Sequence, residues 1–427
     1  MSKVLEKIVS EQLCDYLEKK NILSTTQHGF RKHLSTETAL TTICEQIHKN
    51  IDNNKISLLT LCDLSKAFDS VSHELLLKKM KHLGIDDFWF QDYLAGRVQS
   101  VKINDHISNK QDVEFGVPQG SVLGPILFNI FVNDLVEVND SDMLVQYADD
   151  AQYIHSGRIE NIEEIVNHAE RNLVKVNQYF SENGLKMNAN KTQFIFIGSR
   201  YCISRLPENI TVRVGNDSIR PSNSVKNLGV TMDRYFTFDN HVENIYGKAK
   251  GILYFINRNK NCFDENSRKL VVESLVISIV SYCSTIWNGT SRMNIQKIQQ
   301  IQNFAAKVAS GHGGKYDHAT PYINKMKWLK VNNKIVYDVC VFIYKILENY
   351  IPQRILVLES INQIRSLQTR QSRNLMVPRR RTAVADRAVS VRGPKLWNSL
   401  PMNIRECESF SVFKSKLKSY LFLKQDA

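Results

Sequence analysis

The eight cysteines, at positions 14, 44, 62, 202, 262, 283, 340 and 407, include no CxxC pair. That absence argues against a zinc knuckle and against a secreted disulfide framework, and the chain reads as intracellular and reduced. No secretory leader is expected either, because Met1-Ser2-Lys3-Val4-Leu5-Glu6-Lys7 has no apolar region. No run is apolar enough to suggest a membrane span. The most apolar long stretch, Leu270 to Trp287, carries Glu273 and several serines and reads as a buried helix. Acids are in deficit, with 43 Asp and Glu against 56 Lys and Arg, so the formal net charge is +13. Such a balance suits a partner with a phosphate backbone or an acidic membrane surface. No internal repeat is visible.

What the chain does have is ample apolar material, 43% of 427 residues, enough for a large core and for two or three domains. Most of the positive excess is local. From Arg365 onward there are 14 Lys and Arg against 4 Asp and Glu, so +10 of the +13 lies in that segment. It holds Arg379-Arg380-Arg381 and interleaved aromatics (Trp397, Phe410, Phe413, Tyr420, Phe422), which suit either RNA binding or a solvated basic surface.

Three stretches carry candidate chemistry. Residues 56–63 form an apolar run ending in Asp63, as in a buried strand whose end opens on a crevice. A turn or cap acid is the plainer reading of Asp63. Next, Gly116-Val117-Pro118-Gln119-Gly120-Ser121-Val122-Leu123-Gly124-Pro125 packs three glycines and two prolines into ten residues ahead of an apolar helix, 126–135. Such a path lets backbone or substrate approach closely, or it is simply a tight connection. Third, period-two runs flank Asp149-Asp150 between Leu144 and Ile154, predicting a hairpin with both acids at its tip and the Asp-Asp step as its turn. An exposed acidic turn is the alternative.

Combined, the three stretches point to two-metal chemistry. Bridging carboxylates from different elements can hold a pair of divalent ions about 4 Å apart for an in-line phosphoryl displacement. Hard oxygen ligands select Mg²⁺, with Mn²⁺ as the alternative. Helical periods at 3–20, from about 35, from 72 to Gly84 and at 162–180, with a strand at 192–197, predict an α+β layer with helices on one face. Beyond 200 a hairpin at 225–232 precedes helices predicted at 239–259, 265–288, 292–310 and 332–349. Residues 311–320 are a candidate linker.

Cys62-Asp63-Leu64-Ser65-Lys66-Ala67-Phe68-Asp69, the Gly116–Pro125 stretch and Tyr147-Ala148-Asp149-Asp150 resemble three palm motifs of reverse transcriptases from jockey-type non-LTR retrotransposons. Gln27-His28-Gly29-Phe30-Arg31 resembles their fingers motif, Asn183–Gly198 their fourth motif, and Asn227-Leu228-Gly229-Val230 their primer-grip hairpin. The tail stretch Arg392–Asn398 also resembles such elements. The resemblance implies a right-hand polymerase: fingers and palm over 1–200, primer grip and helical thumb over 201–312, and a basic nucleic-acid-binding segment over 313–427. It implies an RNA-directed DNA polymerase using an RNA template, a DNA primer, deoxynucleoside triphosphates and Mg²⁺. Asp63, Asp149 and Asp150 would be catalytic metal ligands, with the Leu64 carbonyl as a further one. Phe68 would exclude a 2′-hydroxyl, Gln119 would contact nucleotide or template, Arg31 the triphosphate, and Lys191 would protonate pyrophosphate. Leu228 and Gly229 would grip the primer. Relatives carry an upstream endonuclease and a first fingers segment, so the chain is expected to be N-terminally truncated. The alternative is a remnant that binds RNA without polymerising.

Overall fold

The computed structural model describes residues 2–215, 217–311, 317–360 and 374–425. Part of the 311–320 linker and the start of the basic segment, 361–373, lie outside them. The chain divides into two compact units: Met1–Ala39 with Lys55–Phe196 and Tyr201–Ser222, and Leu40–Asn54 with Ile197–Arg200 and Asn223–Ala427.

The first unit opens with helix α1 (Ser2–Lys19) and the beginning of α2 (Thr36–Asp52). Its centre is a four-stranded sheet of β1 (Ile56–Cys62), β2 (Met143–Tyr147), β3 (Asp150–Gly157) and β4 (Gln193–Ile197), in the order β4-β1-β3-β2. β1 is buried along nearly its whole length, which is why it reads as a continuous apolar run rather than an alternating one. It pairs antiparallel with β3, and Cys62 lies opposite Ala151. β3 also pairs with β2 as far as Tyr147 opposite Asp150.

Helix α3 (His73–His82) starts where expected. The Ser72 hydroxyl accepts from Leu75 N at 3.4 Å, and the chain leaves the helix through Gly84 at φ +74°. It packs on α4 (Gly124–Phe131), whose Phe128 and Phe131 are fully buried. The strongly amphipathic α5 (Ile162–Glu182) lays Ile165, Ala169, Leu173, Val176 and Phe180 against the sheet. Truncating a fully buried phenylalanine in such a core costs about 3–5 kcal/mol.

In the second unit a hairpin of β5 (Ser224–Asn227) and β6 (Val230–Asp233) precedes α6 (Asp239–Arg258), which packs on α7 (Arg292–Ser310). The single helix expected over 265–288 is interrupted instead. Regular turns at Glu265–Val272 widen through Glu273–Ile277, and the helix ends at Ser281. Ser278 and Ser281 hydroxyls donate to carbonyls four residues back, which loosens a helix, and Cys283 turns the chain at φ +46°.

Two of the five tail aromatics pack inward. Phe413 and Trp397 are buried around Tyr344 of α8 (Val331–Leu347), with the Tyr344 ring centroid 4.2 Å from that of Phe413, so these rings are core rather than stacking platforms for bases. Residues 40–54 join this unit through carboxylates. Asp52 accepts from Arg381 N and Thr382 N, and Glu45 accepts from Ser390 N. All eight cysteines are free thiols. Among the described residues no helix is long and apolar enough to cross a membrane.

Candidate active site

Asp63 follows β1 directly, one residue beyond the Cys62–Ala151 pair, and so stands at the β3 end that begins with Asp150. Its carbonyl accepts from Asn188 N at 2.8 Å. Its Oδ2 is buried with no hydrogen-bond partner, and the Lys191 ammonium lies 3.7 Å away. That ammonium offsets part of the charge of the buried oxygen without hydrogen-bonding to it. Desolvation raises the Asp149 carboxyl above its usual range, and the charge of Asp63 adds to the rise. Asp150 is open to solvent on one side, yet partial desolvation, then Asp149, then Asp63 push it up to about 6. The three acids therefore share one field of like charge. Among the described residues no group of three or more His, Cys, Asp or Glu is arranged to hold a metal ion. The donors that Asp63, Asp149 and Asp150 offer are all oxygens, the type that suits a hard divalent cation.

The tip of the hairpin is not the Asp-Asp step. Tyr147 pairs with Asp150, so the two turn residues are Ala148 and Asp149. Ala148 takes φ +56°, a left-handed conformation that costs an L-residue roughly 1–2 kcal/mol. Sequence reasoning missed what holds it. Segment 26–28 lies parallel to β2: His28 N donates to Gln146 O at 2.8 Å, and Gln146 N to Thr26 O at 2.8 Å. The buried Gln27 side chain then meets Ala148 itself, accepting from its N–H at 3.0 Å and donating to its carbonyl at 3.3 Å. The hint in the sequence was a glycine two residues after this glutamine. A Cβ on Gly29 would sit 2.3 Å from Ala148 N.

Arg31 is not brought to the acids. Its guanidinium is committed to Glu18, with Nε to Oε1 at 2.9 Å and Nη2 to Oε2 at 2.8 Å, and Nη1 donates to Ser24 O at 2.7 Å. This bidentate pair ties the loop to α1. Arg31→Ala is expected to lower stability by about 1–3 kcal/mol, seen as a drop in melting temperature. A variant that melts like wild type would restore a ligand role.

Phe68 lies half-buried and stacked on Phe128, ring centroids 4.5 Å apart. The glycine-rich stretch docks on the same loop: Gly116 N donates to Val71 O at 2.7 Å and Val117 N to Phe68 O at 2.9 Å. Gly116 needs its missing Cβ, which would sit 3.0 Å from the Asp69 backbone, and its φ is +90°. The Gln119 amide donates to Asp69 Oδ1 at 2.8 Å, an anchor the motif did not reveal. Both line an open cleft of about 640 Å³ with Lys66 and Arg97. Leu64 is paired with Met187 immediately beyond Asp63.

In the second unit Leu228 (φ +42°) and Gly229 (φ +89°) form the two-residue turn between β5 and β6. Tyr282 donates to Leu228 O at 2.8 Å, and its ring lies 2.9 Å from where a Gly229 Cβ would be. Lys226, Lys248 and Asn244 line a cleft of about 520 Å³ beside them.

Residues 1–232 match the family model described as reverse transcriptase (RNA-dependent DNA polymerase). This chain belongs to the reverse transcriptase family. The match spans more than half of the 427 residues and contains Asp63, Asp149 and Asp150. Among curated relatives, the probable RNA-directed DNA polymerase from transposon BS of Drosophila melanogaster is 27% identical over 322 residues, 72% of this chain and 35% of that protein. The corresponding X-element protein of the same species is 25% identical over 320 residues, covering 73% and 34%. The RNA-directed DNA polymerase from mobile element jockey of that species is 24% identical over 323 residues, again 73% and 34%. The reverse transcriptase chain thus spans about a third of the length of the curated relatives it matches.

Proposed function

We propose that the chain is the RNA-directed DNA polymerase of a non-LTR retrotransposon, extending a DNA primer on an RNA template. The observation that carries this reading is Asp63, its buried Oδ2 without a hydrogen bond and with the Lys191 ammonium 3.7 Å away, beside the Asp149–Asp150 hairpin within the segment that matches the family. In the reaction the primer 3′-oxygen attacks the α-phosphorus of a deoxynucleoside triphosphate, a new phosphodiester bond forms, and pyrophosphate leaves. Asp63, Asp149, Asp150 and the Leu64 carbonyl would hold Mg²⁺, or Mn²⁺, which when bound lowers the pKa of the attacking hydroxyl and neutralises charge on the leaving group. Lys191, 3.7 Å from Asp63, is placed in this reading to pass a proton to pyrophosphate.

Residues 1–200 serve as fingers and palm, 201–312 as primer grip and helical thumb with Leu228 and Gly229 at the grip, and 313–427 as a nucleic-acid-binding segment. Gln119, oriented by Asp69, contacts the nucleotide or its template base. Contacts to the duplex through phosphates would carry affinity without base preference.

The test is primer extension by purified protein with Mg²⁺, primed RNA and deoxynucleotides. Binding without extension would favour the remnant that only holds RNA. Sugar selection gives a sharper reading. The Phe68 ring, braced by Phe128, would occupy the space a 2′-hydroxyl needs. Phe68→Ala is therefore expected to reduce discrimination against ribonucleotides by about 10–100-fold, a loss of the size that one pocket contact supplies. Unchanged ratios of kcat/KM for deoxy- and ribonucleotides would show the ring to be core only.

A further inference from the structure

We propose that Gln27 is a positioning residue for nucleotidyl transfer: its carboxamide clasps both backbone polar groups of Ala148 and so sets where the Asp149 carboxylate stands. The inference rests on the polymerase reading for its consequence, while the clasp itself stands on geometry alone.

Four observations carry it. First, β2 and β3 pair only as far as Tyr147 and Asp150, so the ladder supplies no partner for Ala148. Second, Gln27 supplies one. Oε1 accepts from Ala148 N and Nε2 donates to Ala148 O, a side-chain amide standing in for the peptide of a neighbouring strand. Third, the amide has one orientation. Oε1 also accepts from Gly29 N at 2.8 Å, and two N–H groups facing one atom require it to be oxygen. Fourth, the site is closed. Gln27 and Ala148 are both buried, so water cannot replace the clasp if it is lost. A left-handed alanine persists only where its surroundings over-determine it, and here the determining group is one side chain from a distant segment. Asp149 is the very next residue, so the carboxylate inherits the geometry of that clasp. Gln27 touches no reacting atom in this scheme and acts through Ala148.

The test compares the full wild-type chain with Gln27→Met, which keeps the volume and removes the amide, and with Gln27→Glu, which keeps the acceptor and loses the donor. In hydrogen exchange of the peptide spanning 143–152, the Ala148 amide of Gln27→Met is expected to exchange at least about 10-fold faster, with amides of β1 unchanged. In primer extension, kcat is expected to fall about 10–100-fold, with KM for deoxynucleotides and affinity for primed RNA close to wild type. Gln27→Glu, should Gln27→Met fail to fold, is expected to show both effects in reduced form. Glycine adopts positive φ without strain, so in an Ala148→Gly background the kcat loss from Gln27→Met is expected to shrink at least about 3-fold. Wild-type exchange at Ala148 in Gln27→Met would overturn the clasp. Faster exchange with unchanged kcat, or strictly additive effects in the double variant, would overturn its positioning role. If the wild-type chain itself does not extend primers, the polymerase reading falls and the exchange measurement still decides the clasp.

Discussion

Asp149→Ala is expected to leave primer extension below about one-thousandth of the wild-type rate. The physical reason is local charge. Asp149 sits at the second position of the hairpin turn, in the field of Asp63, with its own carboxyl raised by desolvation. A site of that kind stores repulsion that a divalent cation relieves, and removing one ligand weakens both the hold on the cation and the stabilisation of the transition state by several kcal/mol. Affinity for primed RNA is expected to change little, because binding is dominated by phosphate contacts from a chain of net charge +13. A filter-binding titration at two salt concentrations, run beside the extension assay, separates the two quantities. Extension by Asp149→Ala at more than about a tenth of wild type would remove Asp149 from the catalytic set. The fold should survive, since Asp149 lies in the turn, outside the strand ladder.

Gly29→Ala is expected to be nearly as damaging, for a steric reason. Its new methyl would lie 2.3 Å from Ala148 N and 3.0 Å from Tyr147 C, both backbone atoms. Neither side can yield cheaply. Gly29 O accepts from the buried Asn129 amide at 2.8 Å, and Ala148 is held by Gln27. Overpacking of this kind costs about 1–3 kcal/mol, and the hairpin carrying Asp149 must be displaced to relieve it. A displacement of about 1 Å at a reacting group costs about 100-fold in rate. Both a lower melting temperature and a kcat loss of that size are therefore expected. Gly251→Ala is the control. It lies in α6 with open space around its Cβ position, and should stabilise the helix slightly, by about 0.5–1 kcal/mol. Wild-type turnover in Gly29→Ala would show that the hairpin adapts freely.

Much of the first unit was legible because its signals are local. β1 announced itself as an unbroken apolar run, α3 by Ser72 and Gly84, and α5 by an apolar face of period 3.6. The hairpin was legible in its strands and misread in its turn. Asp is a good turn former, but Ala148 takes the strained position because Gln27, more than a hundred residues earlier, satisfies its backbone. The partner of Arg31 was hidden for a related reason. An arginine next to a glycine and an aromatic looks like an anion site until Glu18, thirteen residues away, is seen to hold its guanidinium. The run 265–288 looked like one helix because apolar spacing does not report serine back-bonding or the left-handed Cys283.

The sequence by itself determined the chemistry available here: three acids on two separate stretches, the glycines that let backbone come close, and a positive excess suited to phosphate. Asp63 lies on one stretch and the adjacent Asp149 and Asp150 on the other, and all of this follows from residue type and short-range spacing. Only the tertiary structure decided which groups meet. It put the Lys191 ammonium beside Asp63, committed Arg31 to Glu18, joined Asp69 to Gln119, buried Trp397 and Phe413, and set the amide of Gln27 on Ala148. Periodicity encodes which face a residue occupies, whereas a partner across the chain is chosen by packing that no local pattern records.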